Sequence, residues 1–289
     1  MKICVIGQKS FNKSPLEKSS TFHFAWGFEG LGDKVDIFSW KEQETIKKRY
    51  DLYLCVDSSE SYELRQDLRP LAVYNGDTHM PGGMERDFQR SRNADLVFNG
   101  NYEHGVELMK LMGINSIWLP LGFDKRFDFK DEELEDKDVD VAMVGHANSP
   151  QRVELWNFLQ QNYNCLVGDI DAPSSYKRAK IVVNQPTEPW NNIYNNRLLE
   201  GLASGCFVLQ KELSITSYEK LFPKGEGWAL WHDLTDLKTQ IDQVLNSWEK
   251  MRSRAIKGRW RAVNGYSYRH LCQIIKNYYL NLNGNIDRR

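Results

Sequence analysis

Short apolar runs alternate with longer polar stretches along most of this chain, and this alternation is the feature that most limits its fold. Six runs lie before residue 123: KICVIG (2–7), KVDIFSW (34–40), DLYLCVD (51–57), LAVYNGD (71–77), ADLVFNG (94–100) and SIWLPLG (116–122). Continuous apolar strands of this kind are typical of a parallel sheet that is covered on both faces. The polar stretches between them are long enough for helices or turns. We therefore expect an α/β fold.

The same alternation restarts beyond an acidic stretch, FDFKDEELEDKDVD. Five further runs follow: VDVAMVG (139–145), NCLVGDI (164–170), IVVNQP (181–186), CFVLQ (206–210) and GWALW (227–231). Helices are predicted between them at about 150–161, 174–179, 195–205 and 217–221. From residue 232 to residue 283 the apolar positions are spaced by three and four, which predicts helices only.

The length of 289 residues agrees with two domains, since about 150 residues per domain is a fair prior. We predict one Rossmann-like domain over 1–123, an acidic linker or crossover over 124–138, a second Rossmann-like domain over 139–265 and a closing helix over 266–289. Ligands of open parallel sheets collect beyond the carboxyl ends of the strands. Two such domains would therefore face each other across a cleft that holds the chemistry.

Charge and cysteine usage exclude several classes of protein. The formal net charge of -1 gives no overall attraction to nucleic acid or anionic lipid, although the segment 250–269 is locally rich in Lys and Arg. No apolar run approaches the length of a membrane span, so we expect no transmembrane segment. The five cysteines show no spacing that would hold zinc, and we expect them to be reduced core residues of a cytoplasmic protein.

The stretch NNRLLEGLASG (195–205) carries the strongest binding signal. Asn195 is a candidate N-cap, and the free amides of the following turn, which Asn196 begins, carry partial positive charge. Arg197 adds a two-pronged donor beside them, a combination that binds phosphate. Glu200 lies on the same helix face as Arg197 and can accept hydrogen bonds from ribose hydroxyls, so a sugar nucleotide would satisfy both.

The alternative for Arg197 and Glu200 is an ion pair within the helix, on the surface, without a ligand. The context favours binding. The small residues of GLASG allow the helix to pack tightly on the sheet, and CFVLQ follows at once as a buried strand.

The run YKRAKIVVNQPTEPWNNIYNNRLLEGLASGCFVLQ resembles the donor-binding signature of GT-B glycosyltransferases of the "glycosyl transferases group 1" type, which includes family-4-like and spore-maturation-like enzymes. VDVAMVGHANSPQR is similar to the first strand and loop of that family's second domain, WLPLGFD to its interdomain crossover and YSYRHLCQII to its closing helix. The resemblance covers most of residues 94–275. It implies a small GT-B enzyme whose first domain binds the acceptor and whose second domain binds a nucleotide sugar.

By the same resemblance, Glu200 matches the second glutamate of the family's two-glutamate motif, which contacts the nucleotide ribose. The first glutamate would fall at Asn192, so the chain departs from the pattern there, near the position of the transferred sugar. Glu188 is a possible substitute. The departure leaves the donor sugar open.

Four further residues are candidates on the donor side. Arg152, at a helix start, is expected either to contact phosphate or to lie on the surface. His146 follows the run VAMVG and either approaches the donor or belongs to an ordinary loop. Tyr194 and Trp190 can stack on a nucleobase or fill the core under their loop.

Asp77 and His79 are the catalytic candidates, together with Arg197. Both follow an apolar strand at its carboxyl end, and His79 has a suitable intrinsic pKa for proton transfer from an acceptor hydroxyl. Their alternative is an ordinary loop in which Asp77 is a cap. The literal D-x-D at 169–171 follows a strand and is expected to cap a turn, so no metal site is predicted.

The sequence therefore predicts a metal-independent glycosyltransferase that uses a UDP-, GDP- or similar nucleotide sugar without another cofactor. The signature resembles retaining enzymes more than inverting ones. The acceptor is open among a small molecule, a glycan, a protein side chain and a modified DNA base; the stretch 256–270, with its cations and aromatic rings, is compatible with DNA. Two alternatives are a non-catalytic subunit that binds a sugar nucleotide and an oxidoreductase, disfavoured because GQKSFNKSP lacks the second and third glycines of GxGxxG.

Overall fold

The computed structural model describes residues 1–8, 19–56, 63–76, 78, 82–186, 194–215 and 217–286. Contacts divide the chain into two compact units. Unit 1 consists of Met1–Leu121 and Tyr266–Arg289, and unit 2 consists of Gly122–Gly265. Each unit is an α/β domain with a parallel sheet, which confirms the predicted fold class of two Rossmann-like domains.

Unit 1 is built on a sheet of six described strands in the order β2-β1-β3-β4-β5-β6. The apolar runs of the sequence supply them: β1 (Lys2–Gly7), β2 (Lys34–Ser39), β3 (Leu52–Val56), β4 (Leu71–Asn75), β5 (Leu96–Asn99) and β6 (Ile117–Trp118). Strands β3 and β4 are buried at every position. This is the expected property of central parallel strands that are covered on both faces.

Helices cover this sheet: α1 (Ser20–Glu29), α2 (Gly83–Ser91), α3 (Leu108–Leu111), which follows a π-helical turn at Tyr102–Glu107, and α10 (Tyr268–Ile286), with a 3₁₀ helix at Trp40–Thr45. The predicted closing helix is α10, and it packs against α1. Tyr268 contacts Phe24 edge to face, with 4.9 Å between ring centroids. The end of the chain thereby completes the core of unit 1.

Unit 2 contains a sheet of five described strands in the order β11-β10-β9-β7-β8. The strands are β7 (Val139–Val144), β8 (Cys165–Gly168), β9 (Ala179–Asn184), β10 (Phe207–Lys211) and β11 (Trp228–Trp231). All paired neighbours are parallel. The carboxyl ends of β7, β9 and β10 therefore open on one edge, where loops and helix N-termini meet.

The helices of unit 2 are α4 (Pro150–Asn162), α5 (Ala172–Arg178), α6 (Asn196–Ala203), α7 (Ser217–Leu221), α8 (Leu234–Asn246) and α9 (Trp248–Gly265). The acidic stretch forms 3₁₀ helices at Lys125–Phe127 and Asp131–Leu134. Phe127 and Leu134 are buried, whereas the carboxylates around Leu134 are exposed. The stretch expected as a linker or exposed edge is thus fastened to unit 2 by apolar residues.

Four of the five cysteines are buried, Cys165 is half-buried, and all five are free thiols. This agrees with the predicted core role. Among the described residues, no helix has both the length and the apolar character needed to cross a bilayer.

Helix α6 lies very close to the sheet because Gly201 has no side chain. A Cβ atom at this position would come within 2.8 Å of Val208 Cγ2 on β10 and 3.3 Å of Val182 Cβ on β9. Real Cβ atoms do not approach other atoms this closely, so a larger residue would displace the helix from its strands. The predicted tight packing of GLASG on the sheet is confirmed.

Gly201→Ala is expected to destabilise the protein by about 1–3 kcal/mol, because the added methyl group overpacks the contact between α6 and the sheet. Urea unfolding followed by circular dichroism measures the change. Gly265→Ala is the matched control: nothing lies within 4 Å of a Cβ atom there, so we expect neutrality or a gain of up to about 1 kcal/mol. Equal losses from the two variants would contradict the role given to Gly201.

Candidate functional site

The first turn of α6 is fastened to the carboxyl ends of two strands by side-chain amides. Asn195 is the N-cap, as predicted, and its Oδ1 accepts a hydrogen bond from the backbone N–H of Arg197 at 3.1 Å. The same oxygen accepts a second bond from Asn184 Nδ2, at the end of β9, at 2.8 Å. Asn184 Nδ2 also donates to Gln210 Oε1 on β10 at 2.6 Å. The amides of this turn therefore have a defined position relative to the sheet.

Arg197 and Glu200 form the ion pair that their spacing predicts, but it is not a surface pair. Arg197 Nη1 donates to Glu200 Oε2 at 2.5 Å. The Glu200 side chain is only 7% exposed and that of Arg197 is 34% exposed. The Glu200 carboxylate raises the pKa of Arg197 above its ordinary value, so the guanidinium stays charged. Among the described residues, no hydrogen bond is made to Glu200 Oε1.

Arg152 lies in the first turn of α4 and is buried under the turn that follows β7. Its Nη1 donates to the carbonyl of Gln185 at 3.1 Å, while Nε has no partner among the described residues. Gly145 makes this possible: its φ of 144° suits glycine, and a Cβ atom there would lie 2.6 Å from Arg152 Nη2. Burial lowers the pKa of Arg152, and the positive charge of Arg197 lowers it further.

A second ion pair, which sequence reasoning missed, reaches this cluster from the segment before β7. Arg126 donates to the buried carboxylate of Asp124 through Nε (2.8 Å to Oδ1) and Nη2 (2.7 Å to Oδ2). These bonds raise the pKa of Arg126, and Glu200 contributes to the shift. Asp124 likewise adds to the raised pKa of Arg197. The available signal was the D-x-R spacing just after the crossover-like run WLPLGFD.

The cluster therefore combines three guanidinium groups, on Arg126, Arg152 and Arg197, with the carboxylates of Asp124 and Glu200. Like-charged neighbours and the orphan Nε of Arg152 leave a surplus of positive charge and of donors beside the N-terminus of α6. A buried donor without a partner costs free energy, which an anion placed there would recover. The arrangement is suited to holding a doubly charged, oxygen-rich group.

Tyr194 takes the core-filling alternative. It is fully buried, stacks on Tyr218 with 4.9 Å between ring centroids and meets Trp228 edge to face at 5.7 Å. Its ring thus packs inside unit 2 instead of presenting a free face to a nucleobase, and we do not propose a base contact for it. Asn196, the first residue of α6, is half-buried.

His146 is exposed, and its Nδ1 lies 3.1 Å from Asp169 Oδ2, also exposed. Asp171, the second carboxylate of the D-x-D run, caps α5 by accepting from Ser174 N, as expected of a turn residue. Among the described parts of the chain, no group of three or more His, Cys, Asp or Glu residues could hold a metal ion.

Asp77 and His79, the catalytic candidates of the first domain, lie outside the described residues, and so do Glu188, Trp190 and Asn192. Their roles stay predictions. The described neighbour of the first two, Thr78, is buried and donates to Asp87 Oδ2 at 2.6 Å.

Comparison with known proteins gives one family match. The sequence model of a family described as glycosyl transferase-like matches residues 131–277, half of the chain, and this range includes α4, α5, α6 and the strands between them. No curated protein sequence matches.

Solved structures of the same fold cover nearly the whole chain at low sequence identity. Sucrose-phosphate synthase from Thermosynechococcus elongatus has a TM-score of 0.67 and 13% identity, over 98% of this chain and 99% of that chain. HepE of Anabaena in complex with UDP-glucose has a TM-score of 0.66 and 13% identity, over 97% and 100%. The DNA-modifying β-glucosyltransferase, studied with UDP-glucose, has a TM-score of 0.65 and 15% identity, also over 97% and 100%. At such identities the likeness shows the fold.

Asn195→Ala is expected to lower the free energy of unfolding by about 1–2 kcal/mol, because it removes the helix cap and the acceptor of Asn184. Asn195→Asp keeps the oxygen that both donors use and is expected to retain most of the stability. Urea unfolding of the two variants measures the difference. If Asn195→Asp proved as unstable as Asn195→Ala, the capping oxygen would not be the source of the effect.

Proposed function

The chain belongs to the glycosyl transferase-like family and is a glycosyltransferase with the GT-B fold, and on this premise we propose that it moves a sugar from a nucleoside-diphosphate donor to an acceptor hydroxyl. The observation that carries the proposal is the cluster at the N-terminus of α6, where the guanidinium groups of Arg152 and Arg197 lie beside capped helix amides and a buried glutamate. Cleavage of the sugar–diphosphate bond takes place at the end of this cluster.

The diphosphate is the first part of the donor to be matched. Arg197 keeps one third of its side chain exposed while it pairs with the buried carboxylate of Glu200. The Nε atom of Arg152 is a buried donor without a partner among the described residues. The amides of the first turn of α6 add about half a positive charge. When the glycosidic bond breaks, negative charge develops on the leaving diphosphate, and donors fixed in advance lower that barrier.

The ribose is the second part. Glu200 uses Oε2 for Arg197 and leaves Oε1 open, so this carboxylate can accept a hydrogen bond from a ribose hydroxyl without breaking the ion pair. Asn196 and Glu200 are about one helical turn apart. A diphosphate at the amides near Asn196 and a pentose at the carboxylate of Glu200 would therefore occupy neighbouring positions along α6. A nucleoside diphosphate satisfies both ends.

The neighbours support a uridine nucleotide as the first donor to test, because both HepE and the DNA-modifying β-glucosyltransferase were studied with UDP-glucose. The acceptor belongs to the proposal only by class: a glycan, a small molecule, a protein side chain or a modified DNA base. The DNA-modifying neighbour supports inclusion of the last. We further propose retention of the anomeric configuration, with His79 orienting the donor sugar or the acceptor, whereas inversion would require Asp77 or His79 as a base; the anomeric proton resonances of the product test it.

Arg197→Ala is expected to weaken nucleotide binding by about 10- to 100-fold, because it removes a hydrogen bond from a charged donor. Thermal stabilisation by UDP, GDP, ADP and NAD and slow hydrolysis of UDP-glucose are the measurements. Glu200→Ala is expected to weaken both signals as well, and Arg197→Lys to keep the charge but not the two-pronged contact.

Arg178→Ala is the matched control for these variants. Arg178 also forms an ion pair in unit 2, with Asp138, but the pair is exposed and lies at the amino end of β9, whereas α6 begins beyond the carboxyl end of that strand. It is expected to leave nucleotide stabilisation and donor hydrolysis unchanged. Stabilisation of the protein by NAD alone, or equal losses in Arg178→Ala and Arg197→Ala, would contradict the proposal.

EDTA is expected to leave donor hydrolysis unchanged, because guanidinium groups and helix amides meet the charge of the diphosphate in this proposal without a bound cation. Hydrolysis rates before and after chelation, and after addition of Mg²⁺ or Mn²⁺, are the measurement. A rate that falls on chelation and returns with either ion would show that a metal shares the diphosphate.

A further inference from the structure

A groove in unit 2 lies apart from the nucleotide cluster, the name used here for the charged residues Asp124, Arg126, Arg152, Arg197 and Glu200. It runs between α9 and the segment of residues 129–137, has Gly205 at its base and has a volume of about 570 Å³. Pockets that bind small organic molecules have volumes of about 300–1,000 Å³. Its apolar walls come from Phe129 and Leu134 on one side and from Ile256, Trp260 and Val263 on the other.

The groove and the nucleotide cluster are at opposite ends of α6. The cluster lies at the capped N-terminus of this helix, whereas Gly205 follows its C-terminus and precedes β10. Eight helical residues separate the two ends by about 12 Å. A ligand in the groove is therefore not the donor diphosphate.

Cations that bind backbone carbonyls hold the groove in shape. Arg259 donates to the carbonyl of Ala203 at the end of α6 and, through Nη2, to the carbonyl of Phe129 at 2.5 Å. Lys137 donates to the carbonyls of Ser204 at 3.0 Å and Tyr176 at 3.2 Å. These bonds join both walls to α5 and α6, so the groove exists without a ligand, and a preformed site loses little entropy when it binds.

Trp260 is the unusual feature of this surface. Its side chain is 69% exposed and that of Ile256, one turn earlier on the same wall, is 54% exposed. Tryptophan is a costly residue to leave in water, and a flat exposed indole beside a groove is a platform on which a ring can stack.

Opposite charges face each other across the groove. Helix α9 carries six Lys or Arg and one Glu, whereas residues 128–138 carry seven Asp or Glu and two Lys. Arg259 and Asp131 form an ion pair between the two sides, with 3.1 Å between Nη2 and Oδ1. Of these charged residues, Lys130, Lys137, Arg252 and Arg259 line the groove together with Asp131 and Glu135, so a polyanion that entered it would also meet two carboxylates.

The lining contains hydrogen-bond donors and acceptors together. Arg252 donates only, Asp131 and Glu135 accept only, and Asn264 does both. A phosphate chain or an anionic lipid surface needs donors and cations only, and it would leave the acceptors of Asp131 and Glu135 without a partner. A neutral chain of hydroxyl groups uses both kinds, and the apolar faces of its rings fit against an indole.

We propose that this groove is a carbohydrate-binding site that takes a neutral oligosaccharide, with one sugar ring stacked on Trp260 and hydroxyl groups hydrogen-bonded to Asp131, Glu135 and Arg252. The site lies away from the place of sugar transfer, and a glycan bound there stays attached to the enzyme. It does not depend on the proposed nucleotide site, because no residue is shared between them.

Isothermal titration of the full chain with maltohexaose, cellohexaose and chitohexaose tests the proposal. At least one of the three is expected to bind with a dissociation constant of about 1 mM or below. Trp260→Ala is expected to weaken that binding about tenfold or more, and Trp260→Phe, which keeps a ring, by less. Binding is expected to be nearly independent of salt, since no net charge is neutralised.

Leu111→Ala is the matched control, since Leu111 is an exposed apolar residue of unit 1, 83% accessible, and is not among the residues that line the groove. It is expected to leave oligosaccharide binding unchanged, and Trp260→Ala is expected to keep the circular dichroism spectrum and the stabilisation by UDP. Loss of UDP stabilisation in Arg197→Ala with oligosaccharide binding intact would keep the two sites distinct.

Three results would overturn the proposal. One is that none of the three hexasaccharides binds at concentrations up to about 5 mM. Another is binding that survives in Trp260→Ala. The third is binding of a single-stranded DNA 12-mer that depends on Trp260 and weakens steeply with salt, which would make the groove a nucleic-acid surface.

Discussion

The hydrogen bond from Asn184 to Asn195 is the contact on which the nucleotide cluster depends. It joins the last residue of β9 to the cap of α6, so the helix starts at a fixed place above the sheet. Gly201 then lets the same helix lie directly on β9 and β10. With its start tied and its middle in contact with the strands, α6 presents its free amides and Arg197 in one orientation, which is the condition for donors that act in advance of a reaction.

The buried carboxylate of Glu200 would lower the stability of the fold if its charge had no counter-ion. A carboxylate that is 7% exposed is stable only with a close counter-ion, and Arg197 provides it at 2.5 Å. The bidentate pair of Asp124 and Arg126 extends the alternation of charges. Removal of one member of such a set leaves a buried charge without compensation, so the charged groups of the cluster depend on one another for their stability. Its remaining capacity, the exposed part of Arg197 and the Nε of Arg152, is what a ligand can use.

Much of this fold follows from patterns along the chain, and the parts that do not are tertiary. Apolar runs located the strands, and the residue types at Asn195 and Gly201 located the start of α6 and its close packing, because a cap and a small residue act locally. The i,i+3 spacing indicated that Arg197 and Glu200 are neighbours on one helix face, but it did not indicate whether the pair is exposed or buried. Asp124, distant in the sequence, adds to the raised pKa of Arg197, and periodicity carries no information about such a neighbour. Tyr194 fitted core and ligand roles by type, and only its contacts with Tyr218 and Trp228 separate them.

The basic helix α9 shows why local charge needs its surroundings before it indicates a partner. Taken alone, its six cations and Trp260 are compatible with DNA. The segment 128–138, which looks like an exposed acidic linker, contributes Asp131 and Glu135 to the same groove, so carboxylates lie among its cations. Arg259 is the residue that brings the two segments together, since it bonds the end of α6 and the carbonyl of Phe129 at once. The exposed indole therefore lies in a setting of mixed charge, where, in the binding mode proposed above, stacking and hydroxyl contacts, not counter-ion release, determine which molecules bind.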